Sequence, residues 1–110
     1  MIKIRNKEEL DKFVSESTNK ICAVKFSADW CGPCKVLGNV IKQYLSEYAP
    51  ESVEFAEIDV DEVEEELLDA YSIKNVPVLV YFKDGFVVNK TVGLMNKPEL
   101  HKIIEETRLK

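Results

Sequence analysis

The chain has 110 residues, with 15 Lys+Arg against 20 Asp+Glu, one His and three Cys, for a net charge of −5. That length fits one domain, and 45% apolar residues supply a real core, which excludes a disordered chain and a disulfide-stapled mini-protein. The acidic balance excludes a nucleic-acid backbone binder, which needs clustered Lys and Arg, and an odd cysteine count does not suit a fully paired secreted framework.

Met1 to Glu9 has no apolar core of the kind a signal peptide needs, and Glu8 and Glu9 do not suit a transit peptide. No apolar run approaches a bilayer span, so no membrane partner is expected. Ile2–Arg5 is a short edge strand. Asn6 with Glu9 marks a helix start, and Leu10, Phe13 and Val14 share the face of the helix that follows. Ile21–Ser27 is nearly continuously apolar, which suits a central strand covered on both faces. A helix runs from Pro33 to about Tyr48, with Leu37, Val40, Ile41, Tyr44 and Leu45 at core spacing. Val53–Asp59 is the next strand. Asp61 with Glu64 predicts another helix start, followed by Val63, Leu67, Leu68 and Tyr71. Pro77–Phe82 is a strongly apolar strand, and Asp84-Gly85 turns it into Phe86–Val92. Asn96 caps a last helix that tolerates Pro98 in its first turn and faces Leu100, Ile103 and Ile104 inward.

The order is β-α-β-α-β-α-β-β-α. Strands joined through helices predict parallel pairing by right-handed crossovers, and the late hairpin adds antiparallel strands. The expected fold class is α/β: a mixed sheet with helices on both faces, in one domain over residues 1–110.

Between the Ile21–Ser27 strand and its helix stands Trp30-Cys31-Gly32-Pro33-Cys34. Two intervening residues let the sulfurs meet across a first helical turn. Cys31 falls near the helix N-terminus, where unpaired N–H groups and the macrodipole favour the negative charge of a thiolate and lower the thiol pKa. Pro33 lacks an N–H, which costs nothing in the first turn, and it stiffens the loop that holds Cys34. The alternative is half of a zinc site, which needs four ligands; Cys22 and His101 are the only other Cys and His, and they lie in different elements. The redox reading is therefore preferred, with no metal.

The chain resembles the thioredoxin family over about Ile2 to Thr107. The resemblance rests on Phe26-Ser27-Ala28-Asp29-Trp30-Cys31-Gly32-Pro33-Cys34-Lys35, Asp59-Val60-Asp61, Val76-Pro77, Phe82-Lys83-Asp84-Gly85 and Val92-Gly93. It implies a thioredoxin fold, with a central mixed five-stranded sheet flanked by four helices. It also implies a small thiol-disulfide oxidoreductase that reduces protein disulfides in electron transport and cell redox homeostasis. No cofactor is bound, and the disulfide Cys31–Cys34 is the working centre. Its expected partners are an NADPH-dependent flavoprotein, thioredoxin reductase, and disulfide-containing targets such as peroxiredoxin-like proteins. A cytoplasmic monomer is expected from the cysteine usage and this resemblance.

Position by position, Cys31 resembles the exposed attacking cysteine and Cys34 the buried resolving one. Trp30, Gly32 and Pro33 complete the active-site loop, although ordinary core packing is an alternative for Trp30. Pro77 resembles the family's cis-proline, the alternative being a trans proline starting a strand. A cis bond there leaves the backbone of Val76 to pair with an extended substrate, and Gly93 borders the same groove. Gly85 and Gly93 serve backbone conformation.

One position departs from the family, which usually keeps a buried Asp where this chain has Lys25. A charged Lys cannot accept a proton, and it needs a partner if buried. Glu57 on the neighbouring strand is the candidate. Either Lys25 favours a thiolate while Glu57 takes the proton of Cys34, or the pair only satisfies itself. Cys22 reads as a small buried hydrophobe. From Gln43 to Ile73 there is no Lys or Arg, and eleven of the 20 acids lie there, which reads as a solvated helix face, the alternative being steering of basic partners. His101 reads as a surface or interface residue with no catalytic role. A second reading of the chain is a binding module that uses the groove beside Pro77, with redox activity incidental.

Overall fold

A computed structural model describes Met1 to Lys110. The elements are β1 (Ile2–Ile4), α1 (Lys7–Glu16), β2 (Ile21–Ser27), α2 (Gly32–Tyr48), β3 (Val53–Asp59), α3 (Glu65–Ala70), β4 (Val78–Lys83), β5 (Phe86–Val92) and α4 (Lys97–Arg108). The five strands form one sheet in the order β1-β3-β2-β4-β5. No helix is long and apolar enough to cross a membrane.

β2 is the central strand, as its apolar run predicts, and every one of its residues is buried. Alternation sends its side chains to two cores. Cys22, Val24 and Phe26 pack with Leu10, Phe13 and Leu67 under α1 and α3. Ile21 and Ala23 pack with Leu37, Ile41, Leu100 and Ile104 under α2 and α4. Lys25 falls on that second face. Two asparagine caps form as expected. Asn6 accepts from the Glu9 N–H at 2.8 Å, and Asn96 and Glu99 make a full capping box at the start of α4.

Two expectations fail. Asp61 does not start α3, which begins at Glu65 behind a Glu64 N-cap that makes no side-chain capping bond. The Asp61 carboxylate is engaged elsewhere, by Trp30. The crossover rule also misdirects β4. β1 and β2 pair parallel with β3, but β4 runs antiparallel to β2. The six residues of α3 span about 9 Å. The seven of β3 span about 23 Å, so so short a helix does not carry the chain back along the strand. The chain re-enters the sheet at the end where it left. Ser27 of β2 pairs with Asp59 of β3, and Phe26 with Val78 of β4, so three elements meet at one end of the sheet.

The acidic stretch is not simply solvated. Glu47, Glu54, Glu57 and Glu62 take Lys97, Lys20, Lys25 and Lys3 from other elements. At the end of α1 the Ser17 hydroxyl lies 2.9 Å from the Phe13 carbonyl and 2.7 Å from Glu54 Oε2. It has one proton, and the charged carboxylate is the stronger acceptor. That hydroxyl, with Lys20, holds the Glu54 carboxyl below the usual carboxylate range against the opposing effect of burial.

Ser17→Ala is expected to cost about 1–2 kcal/mol at neutral pH, read as a fall in melting temperature. Because the folded pKa of Glu54 is depressed, its contribution is complete above the unfolded value and is lost as pH falls through the folded one. The melting temperatures of mutant and parent should therefore converge in acid; a gap that persists undiminished there would place the loss elsewhere.

Candidate active site

Cys31 is the N-cap of α2, with extended backbone at φ −96° and ψ 107°. Gly32, Pro33 and Cys34 form the first turn. The Cys34 N–H donates to Cys31 Sγ at 3.1 Å, so the sulfur takes the place a Ser or Asp oxygen holds in an ordinary cap. Cys31 and Cys34 are joined in a disulfide with their Cα atoms 5.3 Å apart. Gly32 and Pro33 are exposed at the rim.

The two sulfurs differ less in exposure than the resemblance implies. Cys31 is only 5% exposed, against 1% for Cys34. The cause is local packing: Ala28, Val60 and Val76 close around the pair. Trp30 goes the other way. It is 71% exposed, so the core-packing alternative is overturned. Its Nε1–H donates to Asp61 Oδ2 at 2.8 Å, and the Asp61 N–H in turn donates to Asp59 Oδ1 at 2.9 Å. Asp61 is thus a site residue that sequence reasoning missed, because its spacing to Glu64 imitates a helix cap.

The Val76–Pro77 bond is cis. The Val76 carbonyl lies 3.9 Å from Cys31 Sγ, a contact in which only a thiol, not the disulfide, has a proton to donate. Neither the N–H nor the C=O of Val76 bonds the backbone of this chain. The Gly93 N–H donates to the Pro77 carbonyl at 2.8 Å, and Gly93 holds φ +93°, which glycine adopts without a Cβ penalty. The sheet end therefore brings Trp30, the cysteine pair, Val76, Pro77 and Gly93 together.

Beneath the loop, Lys25 is 2% exposed in the middle of the sheet. Its Nζ donates to Glu57 Oε2 at 2.9 Å, and the Glu57 side chain remains 35% exposed. The expected pair exists, and Glu57 links a buried ammonium to solvent. A Cβ on Gly38 of α2 would lie 3.2 Å from Lys25 Nζ. Gly38 is a second residue the sequence reading passed over, although a glycine inside a helix, about 0.5–1 kcal/mol worse than Ala, calls for a packing reason.

The remaining thiol and imidazole stand apart. Cys22 is buried in β2, and burial pushes its thiol pKa up. His101 is half-buried, stacked on Tyr48 at 4.3 Å, with Nδ1 buried and unpartnered. No three His, Cys, Asp or Glu side chains gather as a metal site.

A sulfur pair that closes at a helix N-terminus, beside unpaired backbone at the end of a mixed sheet, makes the chain a thiol-disulfide oxidoreductase whose redox centre is its own side chains. The thioredoxin family model matches residues 1–106, and the chain belongs to the thioredoxin family. It is 36% identical over 102 residues to a thioredoxin of Mycoplasmoides gallisepticum, covering 93% of this chain and 97% of that one. It is 44% identical over 103 residues to an H-type thioredoxin of Populus jackii, covering 92% and 71%. Fasciola hepatica thioredoxin superposes with a TM-score of 0.85 at 32% identity, covering 97% of this chain and 99% of that one. Another neighbour comes from a structure concerning the thiol-resolving mechanism in yeast mitochondrial 1-Cys peroxiredoxin via glutathione/thioredoxin systems. It has a TM-score of 0.81 at 27% identity, and the match covers 96% of this chain and 94% of that one. Members of this family work on protein disulfides, with thioredoxin reductase as the general kind of partner.

The oxidised, folded protein should present no thiol that reacts rapidly with an aromatic disulfide reagent. Cys22 should appear only on unfolding, as one thiol per chain. One fast thiol in the oxidised native protein would contradict its burial.

Proposed function

We propose that residues 1–110 act as a single-domain, monomeric, cytoplasmic protein-disulfide reductase in which Cys31 attacks and Cys34 resolves. The observation that carries the reading is the aim of the Cys34 N–H at Cys31 Sγ. In the reduced chain that N–H and the helix N-terminus face a Cys31 thiolate, where a charged acceptor gains most.

The Cys31 thiolate attacks one sulfur of a target disulfide. A bond forms between Cys31 and that sulfur, and the other target sulfur leaves as a thiolate and takes a proton from water. Cys34 then gives its proton to Glu57, directly or through water, and attacks Cys31 Sγ. The Cys31–target bond breaks, the second target sulfur leaves as a thiolate and takes the proton back from Glu57 through water, and two electrons have passed to the target. An NADPH-dependent flavoprotein, thioredoxin reductase, returns two electrons and restores the dithiol, which makes the chain a link in electron transport and cell redox homeostasis.

The free N–H and C=O of Val76 serve as the pairing edge for an extended target segment, bounded by Pro77 and Gly93. Main-chain bonds bind while side chains matter less, so the range of targets is broad. Trp30, held by Asp61, is exposed beside the cysteine pair and available to an approaching target. The peroxiredoxin work behind one structural neighbour supports peroxiredoxin-like proteins as one target class. A dithiol that must be kept reduced, with a third cysteine left free, suits the cytoplasm.

Turnover of a protein disulfide coupled to NADPH and thioredoxin reductase, beside a glutathione-coupled control, tests the reading. Cys31→Ser should lower the rate at least about a thousandfold. Cys34→Ser should instead accumulate a target joined to Cys31, visible as a band that reductant removes. No turnover of the parent protein in either system would overturn the reductase reading; a trapped adduct on Cys34 rather than Cys31 would reverse the two roles.

A further inference from the structure

We infer that Gly38 is a positioning residue for the redox centre: by carrying no side chain, it lets the Lys25 ammonium sit under the turn of α2 that holds Cys34. The inference rests on the roles given above to Cys31 and Cys34, and it extends them to a residue outside the motif.

Gly38 has no conformational reason to be glycine. It lies inside a regular helix of 17 residues, and its φ is not among the positive ones. Space supplies the reason. Outside its own helix, the one atom that a Cβ there would approach within 4 Å is Lys25 Nζ, at 3.2 Å. Ala at this place would improve the helix and press on the ammonium.

The place of that ammonium follows from helix geometry. Gly38 is four residues after Cys34, so the two share a face of α2, one turn apart. Cα–Cβ bonds tilt toward the helix N-terminus, so the point where a Gly38 side chain would start lies on the Cys34 side of it. Cys34 is 1% exposed on the same side of the helix as Leu37 and Ile41, which pack on the sheet. The Lys25 charge therefore lies about one helical turn from Cys34, in a place that water barely reaches, where charge interactions are screened least.

In the disulfide form the ammonium has Glu57 as its counter-ion. In the disulfide form Cys34 carries no charge, whereas in the dithiol form it can lose its proton to water and become a thiolate about a turn from the same ammonium. The ammonium favours that thiolate, while Glu57 stays charged beside it in both forms. Lys25 thus favours the reduced form of the centre, and so raises its reduction potential.

The test is a cycle of two substitutions read by two measurements. Reduction potential is measured by equilibration in a glutathione redox buffer, and stability by thermal unfolding of the oxidised protein. Lys25→Met should shift the dithiol/disulfide equilibrium about tenfold toward the disulfide, about 30 mV more negative. Gly38→Ala should move it the same way by about threefold, about 14 mV. In the Lys25→Met background Gly38→Ala should add no further shift. There it should raise the melting temperature, whereas beside Lys25 it should lower it. Lys25→Gln replaces Lys25→Met if the latter does not fold.

Equal effects of Gly38→Ala on stability in both backgrounds would overturn the inference. So would an unchanged potential in the Lys25 variants while they still turn over protein disulfides. Absence of turnover in the parent protein would overturn the reductase reading instead, so the two failures are distinct.

Discussion

Everything at the site depends on where three strands begin and end. β2 and β3 run parallel and finish level, at Ser27 and Asp59, and β4 starts beside them at Val78. That register places the Cys31 loop, the Asp59–Asp61 turn and Val76-Pro77 side by side, although as many as 46 positions separate their residues along the chain. It also leaves α2 to start where β2 stops. The helix N-terminus is therefore aimed at the sulfurs by the sheet, and the sulfur itself completes the cap. A one-residue slip of β2 would turn Lys25 to the α1 face and Phe26 into the place of a charge, so the register is held by the packing of both cores.

Lys25 is the costliest residue in that arrangement. A charge in the middle of a fully covered strand loses most of its hydration, and a single ion pair seldom compensates fully. Two features lower the cost. Glu57 keeps a third of its side chain in water, so the pair is not wholly desolvated. Gly38 removes the methyl group that would otherwise crowd Nζ, at the expense of helix propensity. Replacing the ion pair with apolar side chains of similar volume is often neutral or stabilising in proteins, so its presence here is better explained by what it does to Cys34 than by stability.

Much of this was legible in the sequence because it rests on local pattern. The Asn6 and Asn96 caps, the helical face from Leu37 to Tyr44 and the Asp84-Gly85 turn are all set by neighbours a few residues apart. The Lys25–Glu57 pair could be anticipated from the family resemblance, which sets these two positions against each other on neighbouring strands, and the register of β2 and β3 places them so. What escaped depends on contacts distant in sequence. Asp61 has the spacing of a helix cap, and nothing nearby reveals that an indole 31 positions earlier claims its carboxylate. The direction of β4 follows from how far a short α3 reaches, which periodicity does not measure. Gly38 did leave a trace, as a glycine in an otherwise good helix, but its reason lies across the core on β2.

Net charge and local charge act oppositely at this centre. The chain carries −5, and the acid-rich stretch from Gln43 to Ile73 includes Asp59 and Asp61 at the rim of the site, so the overall field disfavours a thiolate. Distance and screening decide the outcome. Exposed acids more than about 8–10 Å away are largely screened at physiological salt. Glu47, Glu54 and Glu62 are moreover paired with lysines. The Cys34 N–H, at 3.1 Å from Cys31 Sγ, acts at short range, and the Lys25 ammonium against Gly38 of the same helix is away from water. The near groups therefore set the chemistry of the sulfurs, and the acidic surface acts on them only weakly.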